Sequence, residues 1–181
     1  MSFMKLRNCS REEFVAAITS DKADSFAKTF QSKADMQKQW DRCVGAFNDN
    51  GELMGAIITT ISKSKVANLQ LLHTFNAHRR KGVAKELTES SFRATCGSAI
   101  YFRVSAEPGA VAFYESLGFK FWGKQKSGCS LSMFKIKDTD IRNGIYDDCD
   151  PTVHKALYGG RKGCLASSYA LQESVDFNSF M

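Results

Sequence analysis

Apolar and polar positions change rhythm several times along the chain, and each rhythm predicts an element. An alternating run predicts a first strand over residues 3–7. Ser10 followed by Glu13 has the form of a capping box, in which each side chain bonds the other's backbone N–H. It opens a predicted helix over residues 11–19 with Phe14, Ala17 and Ile18 on one face. A second helical stretch covers residues 24–40. It carries Phe26, Phe30, Met36 and Trp40, and a break is expected near Ser32.

Three strands should follow as a meander. Residues 44–47 are short and apolar, Asp49-Asn50-Gly51 is turn chemistry, and residues 53–61 are rich in β-branched side chains. A turn over 62–65 leads to a strand over 66–73. Residues 74–81 are a polar, basic loop. Val83, Leu87, Ser91 and Ala94 then recur at helical spacing, predicting a helix over 82–95 that ends at Cys96-Gly97-Ser98. Residues 99–104 form a dense strand. Pro108 suits the first turn of a helix whose buried face would be Ala110, Phe113 and Leu117, with Gly118 at the position where positive φ is needed. Residues 119–122 and 131–136 complete the pattern as two strands. No internal repeat is present.

Composition narrows the class. The 181 residues are 43% hydrophobic and include 14 Phe but only two Pro, enough apolar weight for one packed α/β domain with a short appendage. No run is long enough to span a membrane, and residues 1–10 lack the apolar stretch of a signal peptide, so a cytoplasmic protein with no membrane partner is expected. In that compartment the six cysteines read as buried or surface thiols rather than disulfides. None has Cys-x-x-Cys spacing, so no metal is expected.

Charge is unevenly placed. Residues 138–181 hold four Lys/Arg against seven Asp/Glu, a net of −3, so residues 1–137 carry +9 within a chain of +6. A basic body attracts polyanions, whether nucleic acid, acidic protein or a phosphorylated cofactor.

The most informative stretch is the basic loop and the helix it opens. Arg79-Arg80-Lys81-Gly82-Val83-Ala84 has the form Arg/Gln-x-x-Gly-x-Gly/Ala. The first N–H groups of a helix have no internal partner and the dipole is positive there, so a diphosphate can accept those hydrogen bonds. Gly82 leaves the backbone approachable, and Arg79, Arg80 and Lys81 add charge. There is no Gly-x-x-x-x-Gly-Lys-Ser/Thr loop and no Gly-x-Gly-x-x-Gly after the first strand.

A second motif follows one strand later, in the run AVAFYESLGF from Ala110 to Phe119. Together the two motifs resemble the GNAT superfamily of acetyl-CoA-dependent N-acetyltransferases, which pairs such a loop with a later helix ending in Tyr-x-x-x-Gly-Phe. The resemblance covers roughly residues 3–137 and implies an α/β (α+β) fold. Its mixed, mostly antiparallel sheet would be flanked by helices and splay apart between the strands over 66–73 and 99–104. It divides the chain into a GNAT domain, 1–137, and an extension, 138–181, of unassigned role.

The resemblance also implies a site. Acetyl-CoA would place its pyrophosphate on the amides of Arg80, Lys81, Gly82, Val83 and Ala84, beside Arg79, and its pantetheine near the main chain of Thr74 and Phe75. Acetyl would pass to a primary amine by direct attack in a ternary complex. Tyr114 stands where many members place the proton donor for the leaving thiolate, and a neutral phenol suits that role. The base is open between His73, Glu107 and water. Two departures stand out: Pro108 occupies the place of a frequent Asn, and Arg80 that of a frequent glycine.

The acceptor could be a small amine or a macromolecule. Two other readings remain: a degenerate GNAT-fold protein binding nucleic acid or a protein partner, and a GNAT-fold transferase modifying nucleic acid. Nucleic-acid binding would weaken steeply with salt, whereas acetylation of a small amine would not. The acidic extension could shield the acceptor cleft, form a homodimer contact, or be a solvated surface.

Overall fold

The computed structural model describes residues 4–20, 25–63, 65–95, 97–99, 101–106, 108–121 and 131–136. The extension over 138–181, Glu107, and Cys96, Cys129, Cys149 and Cys164 lie outside the described residues. The elements run β1 (Lys5–Asn8), α1 (Arg11–Ser20), α2 (Ser25–Gln37), β2 (Cys43–Phe47), β3 (Leu53–Ile61), β4 (Val66–Thr74), α3 (Val83–Thr95), β5 (Tyr101–Ala106), α4 (Val111–Ser116), β6 (Lys120–Phe121) and β7 (Leu131–Ile136). No described helix is long and apolar enough to cross a membrane. The chain divides into two compact units: Met1–Thr60 with Leu69–Thr95, and Ile61–Asn68 with Cys96–Met181.

In the first unit the strands are ordered β1-β2-β3-β4. β1 pairs with β2 antiparallel from Lys5↔Phe47 to Asn8↔Val44. β2 pairs with β3 antiparallel from Cys43↔Ile58, with a register shift between Ala46 and Phe47. The capping box forms: Ser10 N–H donates to Glu13 Oε2 at 2.9 Å, and Glu13 N–H donates to Ser10 Oγ at 3.2 Å. It fixes the start of α1, so Phe14 drops into the core and stacks on Phe30 of α2 at 4.5 Å between ring centroids. Trp40 and Phe75 close around the same ring, at 5.5 and 5.4 Å. Cys9 and Cys43, both buried free thiols, lie in this cluster. A hydrogen bond with Cys9, and burial, push the Cys43 thiol up, so it stays protonated.

α2 is unbroken at Ser32. Ser32 lies on the exposed side, while Ala27, Phe30 and Ala34 carry one apolar stripe through it. The helix ends instead at Lys38, whose φ of 52° lets Gln39 N–H reach Ala34 O and Lys38 N–H reach Asp35 O. Asp35 ties the two helices together. It accepts hydrogen bonds from Arg11 Nε and Nη2, at 2.7 and 3.0 Å, and from the Trp40 indole at 2.7 Å, and these bonds hold its carboxyl down at about 2.

The pleat sends Ala56 and Ile58 to the α1–α2 side and Ile57 and Thr59 to the other, where Leu87 of α3 lies. Thr59 Oγ1 and Ser91 Oγ of α3 share a hydrogen bond of 2.6 Å. α3 begins at Val83, one residue later than the spacing suggests.

In the second unit the order is β5-β7-β6. β5 pairs antiparallel with β7 from Tyr101↔Ile136 to Ala106↔Leu131, and β6 pairs with β7 through Lys120↔Phe134 and Phe121↔Met133. β5 starts at Tyr101 rather than 99, and Ala99 is buried outside it. A short 3-10 turn, Pro108–Ala110, leads into α4. Gly118, at φ 88°, closes α4 as expected: Phe119 N–H reaches Tyr114 O and Gly118 N–H reaches Glu115 O. The buried face of α4 differs from expectation. Tyr114 and Leu117 are buried, while Ala110 and Phe113 are half-buried.

One glycine in β3 positions everything around the basic loop. A Cβ built on Gly55 would lie 2.7 Å from the His73 carbonyl oxygen, 2.9 Å from Val83 Cγ1 and 3.3 Å from Thr74 Cα. The end of β4 and the first residue of α3 therefore close onto β3 only because Gly55 has no side chain. Gly55→Ala is expected to cost about 1–3 kcal/mol in chemical denaturation, since the nearest obstacle is backbone. An unchanged midpoint and slope would contradict this packing.

Candidate functional site

The loop is built from the end of β4. After Thr74 the chain turns, and Phe75 N–H donates to Met54 O at 3.0 Å. A 3-10 turn over Asn76–His78 follows, in which His78 N–H donates to Phe75 O at 2.9 Å and Arg79 N–H to Asn76 O at 3.3 Å. The main chain of Phe75 is thus engaged at both N–H and C=O inside the protein.

Past Arg79 the backbone changes hand twice. Arg80 has φ 60° and Gly82 has φ 78°. Left-handed residues alternating with ordinary ones turn successive N–H groups toward one side, forming a concavity that suits an anion. Arg80 adopts the backbone conformation that favours glycine, which explains why a glycine suits its place. The helix ladder of α3 begins with Glu86 N–H to Gly82 O at 3.0 Å. The amides of Gly82, Val83, Ala84 and Lys85 therefore lie before the ladder's first donor. Among the described residues nothing lies within 4 Å of a Cβ placed on Gly82, so the space above it is open to them. Val83 is buried on the other side and anchors the turn.

The charges are graded around this concavity. Arg80 and Lys81 are exposed. Arg79 Nε reaches back to Thr74 O at 3.5 Å. Thr74 also carries an orphan: its Oγ1 is shielded from solvent and has no hydrogen-bond partner among the described residues. His73, one residue earlier, is buried against aromatic rings, 5.0 Å from Phe75 and 6.4 Å from Phe14 between centroids.

The structure thus gathers Thr74, Phe75 and Arg79 to Ala84 into one unit and turns His73 into the aromatic core beside them. Tyr114 belongs to the second unit. There it is 6% exposed and packs edge-on against Phe119 at 5.5 Å and Phe113 at 5.0 Å. Burial pushes its phenol up to about 12, so it is neutral across the physiological range. Gly55 was not among the residues singled out from sequence. The signal was there: a glycine inside the β-branched run from Leu53 to Ile61 marks a close backbone approach.

Comparison with known proteins bears on the family and the fold. The family model described as acetyltransferase (GNAT) domain matches residues 8–137. The PaiA N-acetyltransferase of Thermoplasma acidophilum, solved in complex with coenzyme A, is 17% identical, with a TM-score of 0.57 over 75% of this chain and 99% of that one. The GNAT family N-acetyltransferase YhbS of Escherichia coli, in complex with CoA, is 15% identical, with a TM-score of 0.57 over 79% and 85%. Ard1 of Thermoplasma volcanium is 16% identical, with a TM-score of 0.57 over 74% and 97%. At such identities these structures speak for the fold. None of the curated proteins compared matches the chain. The family match spans more than two thirds of the sequence and includes the loop, α3 and Tyr114, and the chain belongs to the GNAT acetyltransferases.

Proposed function

We propose that this protein is a cytoplasmic N-acetyltransferase that moves acetyl from acetyl-CoA to a primary amine, without a metal, by direct attack in a ternary complex. The observation that carries the reading is the concavity at Arg80 to Gly82. It has two left-handed residues, open space over Gly82, and helix amides beyond it. These groups fit a diphosphate, and two similar structures are complexes with CoA. The amides of Lys81 to Ala84 would hold the pyrophosphate, and Arg79, Arg80 and Lys81 would balance its charge. The orphan Thr74 hydroxyl supplies a polar group where the pantetheine arm would pass the strand end.

Acetyl-CoA supplies an activated thioester. The amine nitrogen forms a bond to the acetyl carbon as the carbon–sulfur bond breaks. The amine gives up a proton and the departing thiolate takes one. Tyr114 is the proposed donor of the second proton, because its buried phenol holds that proton at every pH at which an amine is acetylated. The first proton would pass to His73, whose ring lies against Phe14 and Phe75, to Glu107 or to water.

The Tyr114 burial has a signed consequence. Its folded value lies above its ordinary one, so the neutral form is favoured by folding. That stability is complete below pH 10 and is lost as pH rises from 10 through about 12. The loss amounts to about 2 to 3 kcal/mol. In an ultraviolet difference titration of wild type against Tyr114→Phe, the missing tyrosine should ionise at about 12. Ionisation near 10 would remove the buried-acid reading. Tyr114→Phe should also lower kcat about a hundred-fold while leaving acetyl-CoA affinity unchanged.

The cofactor site is tested by calorimetry on wild type and Gly82→Trp. Acetyl-CoA affinity should fall about a hundred-fold or more, because an indole would fill the open space over the concavity. Circular dichroism checks that the variant is folded. Equal affinity in the two proteins would place the cofactor elsewhere.

A further inference from the structure

A groove of about 670 Å³ opens beside the loop, within the first unit. Its lining includes the buried side chains of Phe47, Leu53 and Phe75 and the exposed Ala16 of α1, and the Arg7 guanidinium lies over the Phe47 ring, 3.5 Å from its centroid. Two carboxylates stand at it, Glu13 and Glu52. They differ electrostatically. Glu13 is paired with Arg7 at 2.8 Å and also accepts the Ser10 amide, so its charge is matched. Glu52 accepts a hydrogen bond from the neutral Asn48 amide at 2.6 Å, and among the described residues no cation pairs with it.

Glu52 is also held in place before any ligand arrives. Asn48 Oδ1 accepts the N–H groups of Asn50 and Glu52, at 3.0 and 2.9 Å. Asn48 N–H donates to Glu52 O, and Gly51 N–H to Asn48 O, both at 3.0 Å. This web locks the turn between β2 and β3, and the Asn48 amide holds one carboxylate oxygen of the exposed Glu52 side chain. An anchored carboxylate beside an apolar floor of this size suits a small cation carried on an apolar body. The neighbouring loop, with Arg79, Arg80 and Lys81, repels cations and attracts phosphate. The two sites have opposite signs and share a boundary at Asn76 to His78.

We propose that this groove takes the amine acceptor, and that the acceptor is a protonated primary amine on an apolar body about the size of an aromatic ring. Glu52 holds the ammonium in the encounter, and Phe47, Leu53 and Phe75 hold the body. The inference rests on the transferase reading and names its substrate class. The basic body then serves the cofactor, and the acceptor is drawn to the acidic rim.

The test uses phenethylamine as probe and the full chain. Binding of phenethylamine alone is followed by NMR, and acetyl transfer to it is followed with acetyl-CoA, in wild type, Glu52→Gln and Ala16→Trp. Gln keeps the acceptor that Asn48 needs and removes only the charge. Ala16 is exposed, so a larger side chain fills the groove rather than the core. Each substitution should raise KM and Kd for phenethylamine about ten-fold or more, with acetyl-CoA affinity unchanged and, for Glu52→Gln, kcat within about two-fold. A wild type that binds acetyl-CoA but neither binds nor acetylates phenethylamine overturns the inference. So do variants that both keep the wild-type KM for phenethylamine. In either case the transferase reading stands. A wild type that binds phenethylamine in the groove but does not bind acetyl-CoA overturns the transferase reading, and the acceptor role with it.

Discussion

The close approach at Gly55 is the constraint on which the rest depends. With no Cβ there, the His73 carbonyl and the Val83 side chain lie where a side chain would have been. The end of β4 and the start of α3 are thereby held to the same point of β3. The chain between them has only residues 75–82 in which to reverse direction. It does so with a 3-10 turn and then with positive φ at Arg80 and Gly82. The left-handed residues are a consequence of that short return, and the inward-turned amides are a consequence of the left-handed residues. The proposed anion site would thus arise from a packing contact on the far side of the turn.

Arg80 shows how the local strain is tolerated. An L-residue at φ 60° is disfavoured relative to glycine. Val83 buried below the turn and the bonds of residues 75–79 hold the backbone there. In return the chain gains a guanidinium at the rim of the concavity. The neighbouring groove has the opposite character, with Glu52 fixed by Asn48 at 2.6 Å. In the proposed reading, phosphate goes to the loop after β4 and ammonium to the turn between β2 and β3, adjacent surfaces of one unit.

Much of this was legible in the sequence because it is local. The capping box at Ser10 and Glu13, the glycine closing α4 and the loop before α3 depend on neighbours in the chain, and each formed where expected. What was not legible depends on contacts distant in sequence. Ser32 looked like a helix break, but the stripe Ala27, Phe30, Ala34 packs on the sheet and carries the helix past it. Phe113 looked like the buried residue of α4, but Tyr114 takes that place against Phe119. Nothing near Phe75 in the chain points to the partner of its amide, Met54, twenty-one residues earlier. His73 stands at a strand end in the sequence, and only the packing of Phe14 and Phe75 shows its ring among aromatic neighbours.

The central claim is that backbone amides from Lys81 to Ala84 hold the cofactor's pyrophosphate. An amide-resolved NMR titration of the full chain with coenzyme A tests it most directly. The account predicts that the largest shifts fall on Lys81, Gly82, Val83 and Ala84. The amides of Phe75, His78 and Arg79, already bonded to Met54, Phe75 and Asn76, should move little. Large shifts at those three, with Lys81 to Ala84 unmoved, would contradict it.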